Sequence, residues 1–294
     1  MADVNHFDFS GVYPEDWAAA LQTELDEPNK WKDICNVEFT DSRVLHNPYF
    51  TDLTVYTGSR GTPYTPQAVT ETDESVTYST YKWAAYFIDR ADLIQSDYSK
   101  MMYLAQRQGV QLNEAIESAM YATHASFTDF GSEDLAGSTG STAITVTDTN
   151  VSDIINILYQ RILENNGASI LERNGAFIVW TPYDFTQLRN FAAANGFSSA
   201  DKVLSGGTTN PSSGGGFDYL GFTHYTSNLL TSGHVFAGVK KVLHLGILRG
   251  TYGDVNYTND PNNVSGIGIV SRVDYGFKVW TKVKPLLYDV NVSA

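Results

Sequence analysis

With 294 residues and a hydrophobic fraction of 42%, the chain can bury a sizeable core as one large domain or two modest ones, which excludes wholesale disorder. A formal net charge of −14 argues against general nucleic-acid binding, because neutralising phosphates needs a basic face and the densest basic spot is Lys240-Lys241. Cys35 is the only cysteine, which excludes an intramolecular disulfide and a cysteine-rich metal site and predicts a buried, inert thiol.

The opening residues MADVNHFDFSGVYPEDW lack the basic and apolar regions of a signal peptide. No apolar run approaches the roughly 20 residues that span a bilayer. The chain therefore reads as a product of reducing cytoplasm, and its four Asn-X-Ser/Thr sequons (Asn150, Asn256, Asn263 and Asn291) carry little weight.

In chain order, residues 14–27 predict a short helix, with Pro14 near its start and Trp17, Leu21 and Leu25 at helical spacing. Residues 28–50 read as irregular, interrupted by Pro28 and Pro48, so the first 50 residues resemble an arm more than a core. A hairpin follows. Leu53 and Val55 alternate with polar residues as in a half-buried strand, and Val76, Tyr78 and Thr80 alternate again on the return. Between them lies a polar Gly/Pro/Thr-rich segment, 58–75, with almost no core-forming residues. A two-stranded ribbon is marginal in water, so such a projection must lie on something, and a neighbouring copy is a candidate.

The segment from Asp92 to Thr123 is the clearest helix, with Ile94, Tyr98, Met101, Ala105, Leu112, Ile116 and Ala119 along one face. It would extend on the order of 45 Å. Gly109 interrupts it at a cost of about 1 kcal/mol relative to Ala. Either close packing against another backbone or a tolerated bend would explain that glycine. A second helix is expected over 151–165, a buried strand over 176–180, and a third helix from Pro182, with Thr181 as N-cap and Gly196 closing it. The glycine-rich 205–216 segment reads as a surface loop, and the remainder as strands interrupted by the turn cluster NYTNDPNN. Helices and strands intermix without a βαβ rhythm, which gives an α+β class.

The usual chemical signatures are missing. There is no phosphate loop, zinc helix or nucleophile elbow, and Gly266-Ile267-Gly268 lacks the third glycine of a dinucleotide turn. His234 and His244 lie an even number apart and could share a strand face, but no third ligand stands near them. Glu114 and Glu117 share a helical face, and His124 is too far along it to bond Glu117. Asp254, Asn259, Asp260 and Asn262 lack the spacing of a calcium loop and read as a turn. No catalytic, cofactor or metal residue is assigned.

The order of elements carries more than any motif. An arm, an extended hairpin from Leu53 to Ile88, the passage YKWAAYFIDRADLIQSDYSKMMYLAQRQGVQLNEAIESAMY into a long helix, the helix 151–165 paired with the strand and helix 176–193, and the closing VDYGFKVWTKVKPLLYDVNV together resemble the Hong Kong 97-like major capsid proteins of tailed bacteriophages. The resemblance implies an N-terminal arm (1–50), an extended-loop hairpin (51–88), a peripheral domain with a spine helix (89–150), an axial domain (151–265) and returning peripheral strands (266–294). It implies a structural protein, not an enzyme, that forms hexamers and pentamers of an icosahedral head shell. That shell would enclose DNA without sequence-specific binding, be built in the host cytoplasm and involve no membrane. A separate scaffolding protein, a portal and a cement protein are the implied partners. No Lys lies between Thr51 and Tyr81, so the isopeptide crosslink of some members is not expected. The expected intersubunit contacts are Arg60, Glu71, Asp73 and Glu74, and Gly109 is the expected bend of the spine helix. An encapsulin nanocompartment shares the implied fold and is the nearest rival. A secreted binding module and an enzyme with a dispersed site rank below it.

Overall fold

The computed structural model describes residues 29–61, 63, 66–89, 98–194, 217–249, 255–258 and 266–293. The expected helix over 14–27, the 205–216 loop and the residues Asp254, Asn259, Asp260 and Asn262 lie outside the described residues.

Residues 30–50, expected to be irregular, form regular structure. A one-turn helix, α1 (Trp31–Ile34), leads into β1 (Asn36–Thr40), and short strands β2 (Val44–His46) and β3 (Tyr49–Phe50) follow. Trp31, Ile34 and Cys35 are fully buried, and burial pushes the Cys35 thiol well above its ordinary value. Local pattern could not show this, because β1 exists through parallel pairing with β12 (His244–Leu248), some 200 residues away.

The returning limb of the hairpin comprises β4 (Glu71–Thr72) and β5 (Ser75–Thr77), and β6 (Thr80–Asp89) follows. A long strand, β14 (Gly266–Lys278), organises the first sheet. Along one edge it pairs with β6 from Gly266 to Tyr275. Its other edge is shared end to end by β13 (Val255–Thr258) and β12, with β1 outermost beyond β12. Three residues of the expected turn cluster are thus strand: Asn256 to Thr258 pair with Val270 to Gly268.

Against this sheet lies α2 (Tyr98–Tyr121), at about 1.5 Å per residue roughly 36 Å long. A buried hydrogen bond from the Ser271 hydroxyl to Gln108 Oε1 (2.8 Å) ties helix to sheet. The helix runs unbroken through Gly109, where an added Cβ would meet nothing within 4 Å. Among the described residues no neighbouring backbone requires the glycine. Near the other end, the Lys30 backbone N–H donates to Glu117 Oε2 at 2.7 Å, with the Lys30 ammonium 3.5 Å from Oε1 and the Tyr121 hydroxyl donating at 2.9 Å. Burial raises the Glu117 carboxyl above its usual range, and the Lys30 contacts oppose that rise. Removing one member of such a buried pair costs about 3–5 kcal/mol.

Among the described residues the second sheet has six strands, ordered β7 (Thr128–Phe130), β15 (Leu287–Asn291), β11 (His234–Val239), β8 (Ala176–Trp180), β10 (Phe222–Thr226) and β9 (Phe217–Tyr219). β8 is buried at all five positions, as its continuous apolar run requires of a central strand. Helices α3 (Ser132–Leu135), α4 (Val151–Glu164), α5 (Ala168–Asn174) and α6 (Pro182–Ala194) accompany it. Ile154, Ile155, Leu158 and Ile162 form the buried face of α4. The Thr181 hydroxyl accepts the Asp184 N–H at 3.1 Å, the N-cap expected from sequence. The closing segment 266–293 divides between the sheets: β14 belongs to the first and β15 to the second. No helix among the described residues is long and apolar enough to cross a membrane.

Candidate intersubunit surface

The hairpin starts earlier than its alternation suggests. Its paired limbs are Val44–His46 with Ser75–Thr77, and Tyr49–Phe50 with Glu71–Thr72. Leu53 and Val55, expected in a strand, lie in irregular chain, 64% and 94% exposed. Alternation gives a strand only where a partner supplies the ladder. Here the limbs converge through single bonds instead. The Thr51 N–H donates to the Thr70 carbonyl at 3.0 Å, and the Gln67 side-chain amide both accepts from Thr54 N–H (3.0 Å) and donates to Thr54 C=O (2.8 Å).

The four predicted contact residues separate into two groups. Arg60 sits in the turn at the hairpin's apex, exposed, and makes no ion pair among the described residues. Glu71 is exposed on β4 opposite Phe50. Asp73 and Glu74 lie nearer the base than the apex, and each has a partner within the chain. Asp73 meets His46 Nδ1 at 2.6 Å, and Glu74 accepts the Thr281 N–H at 3.1 Å and the Thr281 hydroxyl. Lys282 adds an exposed contact to Asp52 at 2.6 Å. The 281–282 turn therefore holds the hairpin's base, and the apex projects beyond it.

The projecting part carries a series of exposed apolar side chains among its polar residues. Phe50, Leu53, Val55, Tyr56 and Val69 are all exposed along it, and β6 continues the series with Tyr81 and Trp83, the latter 62% exposed. Isolated exposed apolar residues need no explanation, but a run of them along one projection marks an interaction surface. Covering a single Leu- or Phe-sized side chain contributes about 1.5–3 kcal/mol.

Sequence reasoning missed a second constellation. His124, in the one-turn 3-10 helix Ala122–Ser126 after α2, places Nδ1 2.9 Å from Asp289 Oδ2. His234 places its own Nδ1 2.9 Å from Oδ1 of the same carboxylate. His234 and His244 do not share a strand face: they belong to different sheets, and His244 Nε2 meets the Tyr78 hydroxyl at 3.0 Å. Lys241, at φ 62°, stands between them in the turn that redirects the chain. No spacing rule links positions 124, 234 and 289.

The phage capsid protein family model matches residues 73–285, from the hairpin's returning limb to just before β15. The chain belongs to the phage capsid protein family. It is a structural major capsid protein of the tailed-phage type with the Hong Kong 97-like fold. Among solved structures, Mycobacterium phage Che8 superposes at a TM-score of 0.69 with 16% identity, covering 94% of this chain and 96% of that one. The capsid of a native GTA particle gives 0.67 with 13% identity over 98% of both chains. The capsid of Ralstonia phage GP4 gives 0.64 with 10% identity over 96% of both. At such identities the likeness establishes the fold, whereas the family match establishes kinship. A search of the curated proteins finds no match.

Proposed function

We propose that this capsid protein forms hexamers and pentamers that close into an icosahedral head shell around DNA, with the hairpin of each subunit lying on its neighbour. The observation that carries this reading is the series of exposed apolar side chains from Phe50 to Val69, which has no core of its own to join. Arg60 and Glu71 supply the polar intersubunit contacts at its apex and limb. Asp73 and Glu74 act one step back, setting the angle at which the hairpin leaves the base. The protein's role is architectural, not enzymatic. A separate scaffolding protein directs closure, a portal occupies one vertex and a cement protein can reinforce the exterior. Assembly takes place in the host cytoplasm and the product resides in the virion head. The acidic chain, at −14, encloses DNA without gripping it. Without a Lys between Thr51 and Tyr81, the shell is held by interfaces and not by a hairpin-lysine crosslink.

The test is a Leu53→Asp/Val55→Asp variant. Both side chains are exposed in the subunit, so its unfolding temperature should stay within about 2 °C of wild type. With the scaffolding protein co-produced, negative-stain microscopy should show closed shells for wild type and only rings or free subunits for the variant. Normal shells from the variant would overturn the reading.

A further inference from the structure

Where the long helix ends against the second sheet, one buried carboxylate receives two imidazoles. Asp289 has a side chain only 4% exposed, whereas His124 and His234 retain 18% and 27% exposure and so open the cluster to water. His234 Nδ1 lies 2.9 Å and 3.0 Å from the two carboxylate oxygens, and His124 Nδ1 lies 2.9 Å from Oδ2. The two rings stand 3.9 Å apart, tilted by 32°. One donor atom from each of the three residues falls within 4.8 Å of the others.

From this geometry we infer that His124, His234 and Asp289 form a binding site for a divalent transition-metal ion of the zinc, cobalt or nickel class. Two donor atoms about 2.1 Å from a common ion and about 2.9 Å apart subtend roughly 90° at it, the angle between adjacent ligands of an octahedral or five-coordinate centre. Two imidazoles and a carboxylate suit these metals better than magnesium or calcium, which favour all-oxygen sets. In the metal-free chain each Nδ1–H donates to the carboxylate. To bind an ion, each ring shifts its proton to Nε2, leaving both Nδ1 lone pairs and the carboxylate directed at one point.

The supports of the three ligands are rigid. Asp289 stands on β15 opposite Phe236 of β11, two residues from His234, and Phe236 packs on Phe127 with ring centroids 4.5 Å apart. The Phe127 N–H closes the 3-10 turn by donating to the His124 carbonyl at 2.9 Å. Asn291 pairs with His234 in register and shares the Asp289 face by strand alternation. Its Nδ2 is buried without a hydrogen-bond partner among the described residues, so an amide with unused bonding capacity lies on the same strand face as Asp289. An ion here would clamp the end of the spine helix to two strands of the second sheet. The inference does not depend on the shell reading.

The test uses the full-length, untagged chain after chelator dialysis, titrated with Co²⁺ and separately with Zn²⁺. Expected are one equivalent bound per chain, visible ligand-field absorption with cobalt, and a rise of about 5 °C in unfolding temperature at a hundredfold excess over Kd. His124→Gln and His234→Gln should each lower affinity at least tenfold, with unchanged far-UV circular dichroism. X-ray absorption of the zinc-loaded wild-type chain should show two imidazoles and oxygen ligands, a readout that needs no variant. Failure to bind either metal, binding undiminished in both variants, or a zinc shell without two imidazoles would each overturn the proposal.

Discussion

Tyr78 occupies the space that a side chain at Gly246 would need. A Cβ built on Gly246 would overlap the Tyr78 ring, and one built on Gly276, its register partner across β12 and β14, would come within 2.9 Å of the same ring. The aromatic ring thus lies flat over a cross-strand glycine pair, which anchors the start of β6 and the hairpin's base to the first sheet. Its hydroxyl reaches His244 Nε2 at 3.0 Å, and the side chain is almost wholly buried.

A Gly246→Ala substitution should therefore lower stability by about 1–3 kcal/mol through overpacking, a loss of about 2–5 °C in the unfolding temperature of the unassembled subunit. Hydrogen exchange should accelerate at Val76 and Tyr78 first. In a Tyr78→Ala background the same substitution should cost much less, because the ring it displaces is gone. Equal costs in the two backgrounds would show that the ring is not the obstacle.

A pH dependence should arise from His224. It is fully buried, its Nδ1 accepts the Trp180 indole N–H at 2.8 Å, and its Nε2–H donates to the Tyr219 carbonyl at 3.0 Å. Desolvation lowers its pKa to about 4, although the Tyr219 bond and Asp218 pull the other way. The folded state thus favours the neutral ring, and protonating Nδ1 would set one N–H against another. With a depressed folded pKa, the stabilisation is complete above the unfolded value near 6.5 and is lost as pH falls towards 4. His244 is shifted downward by burial too and adds in the same direction. Denaturant melts of the unassembled chain should show stability falling across this window. His224→Gln, which offers an amide but does not titrate, should flatten the slope by up to about 3 kcal/mol. An unchanged slope would assign the acid sensitivity elsewhere.

Much of the fold was legible because local pattern and burial agree. Ile154, Ile155 and Leu158 announce α4, and the run from Ala176 to Trp180 announces a central strand. What failed to show depended on distant partners. β1 exists only against β12, so residues 36–40 carry no strand signal strong enough to be read alone. Leu53 and Val55 imitate a strand but meet no ladder. The histidine cluster joins positions 165 and 55 residues apart to Asp289, and nothing periodic connects them. Asp73 and Glu74, expected as intersubunit contacts, are paired within the chain because the hairpin's register, set by Val44 and Tyr49, lies earlier than its hydrophobic alternation.

Gly109 offers the most direct probe of whether the spine helix deforms in the shell. In the subunit it sits in unbroken helix, with the Asn113 side-chain amide donating to its carbonyl at 2.9 Å and open space where a Cβ would stand. Gly109→Ala should therefore stabilise the free subunit by about 1 kcal/mol, a gain of about 2 °C, because alanine loses less backbone entropy on entering a helix. That gain makes the substitution informative in the particle. If the helix bends at this point when the shell expands, alanine must give back its helical preference at every copy. Expansion of the Gly109→Ala shell, followed by light scattering or by microscopy of particle diameter, should then need higher temperature or harsher conditions than wild type. An expansion transition unchanged in midpoint, alongside the stabilised subunit, would show that the helix passes through assembly as a straight strut and that the bend lies elsewhere.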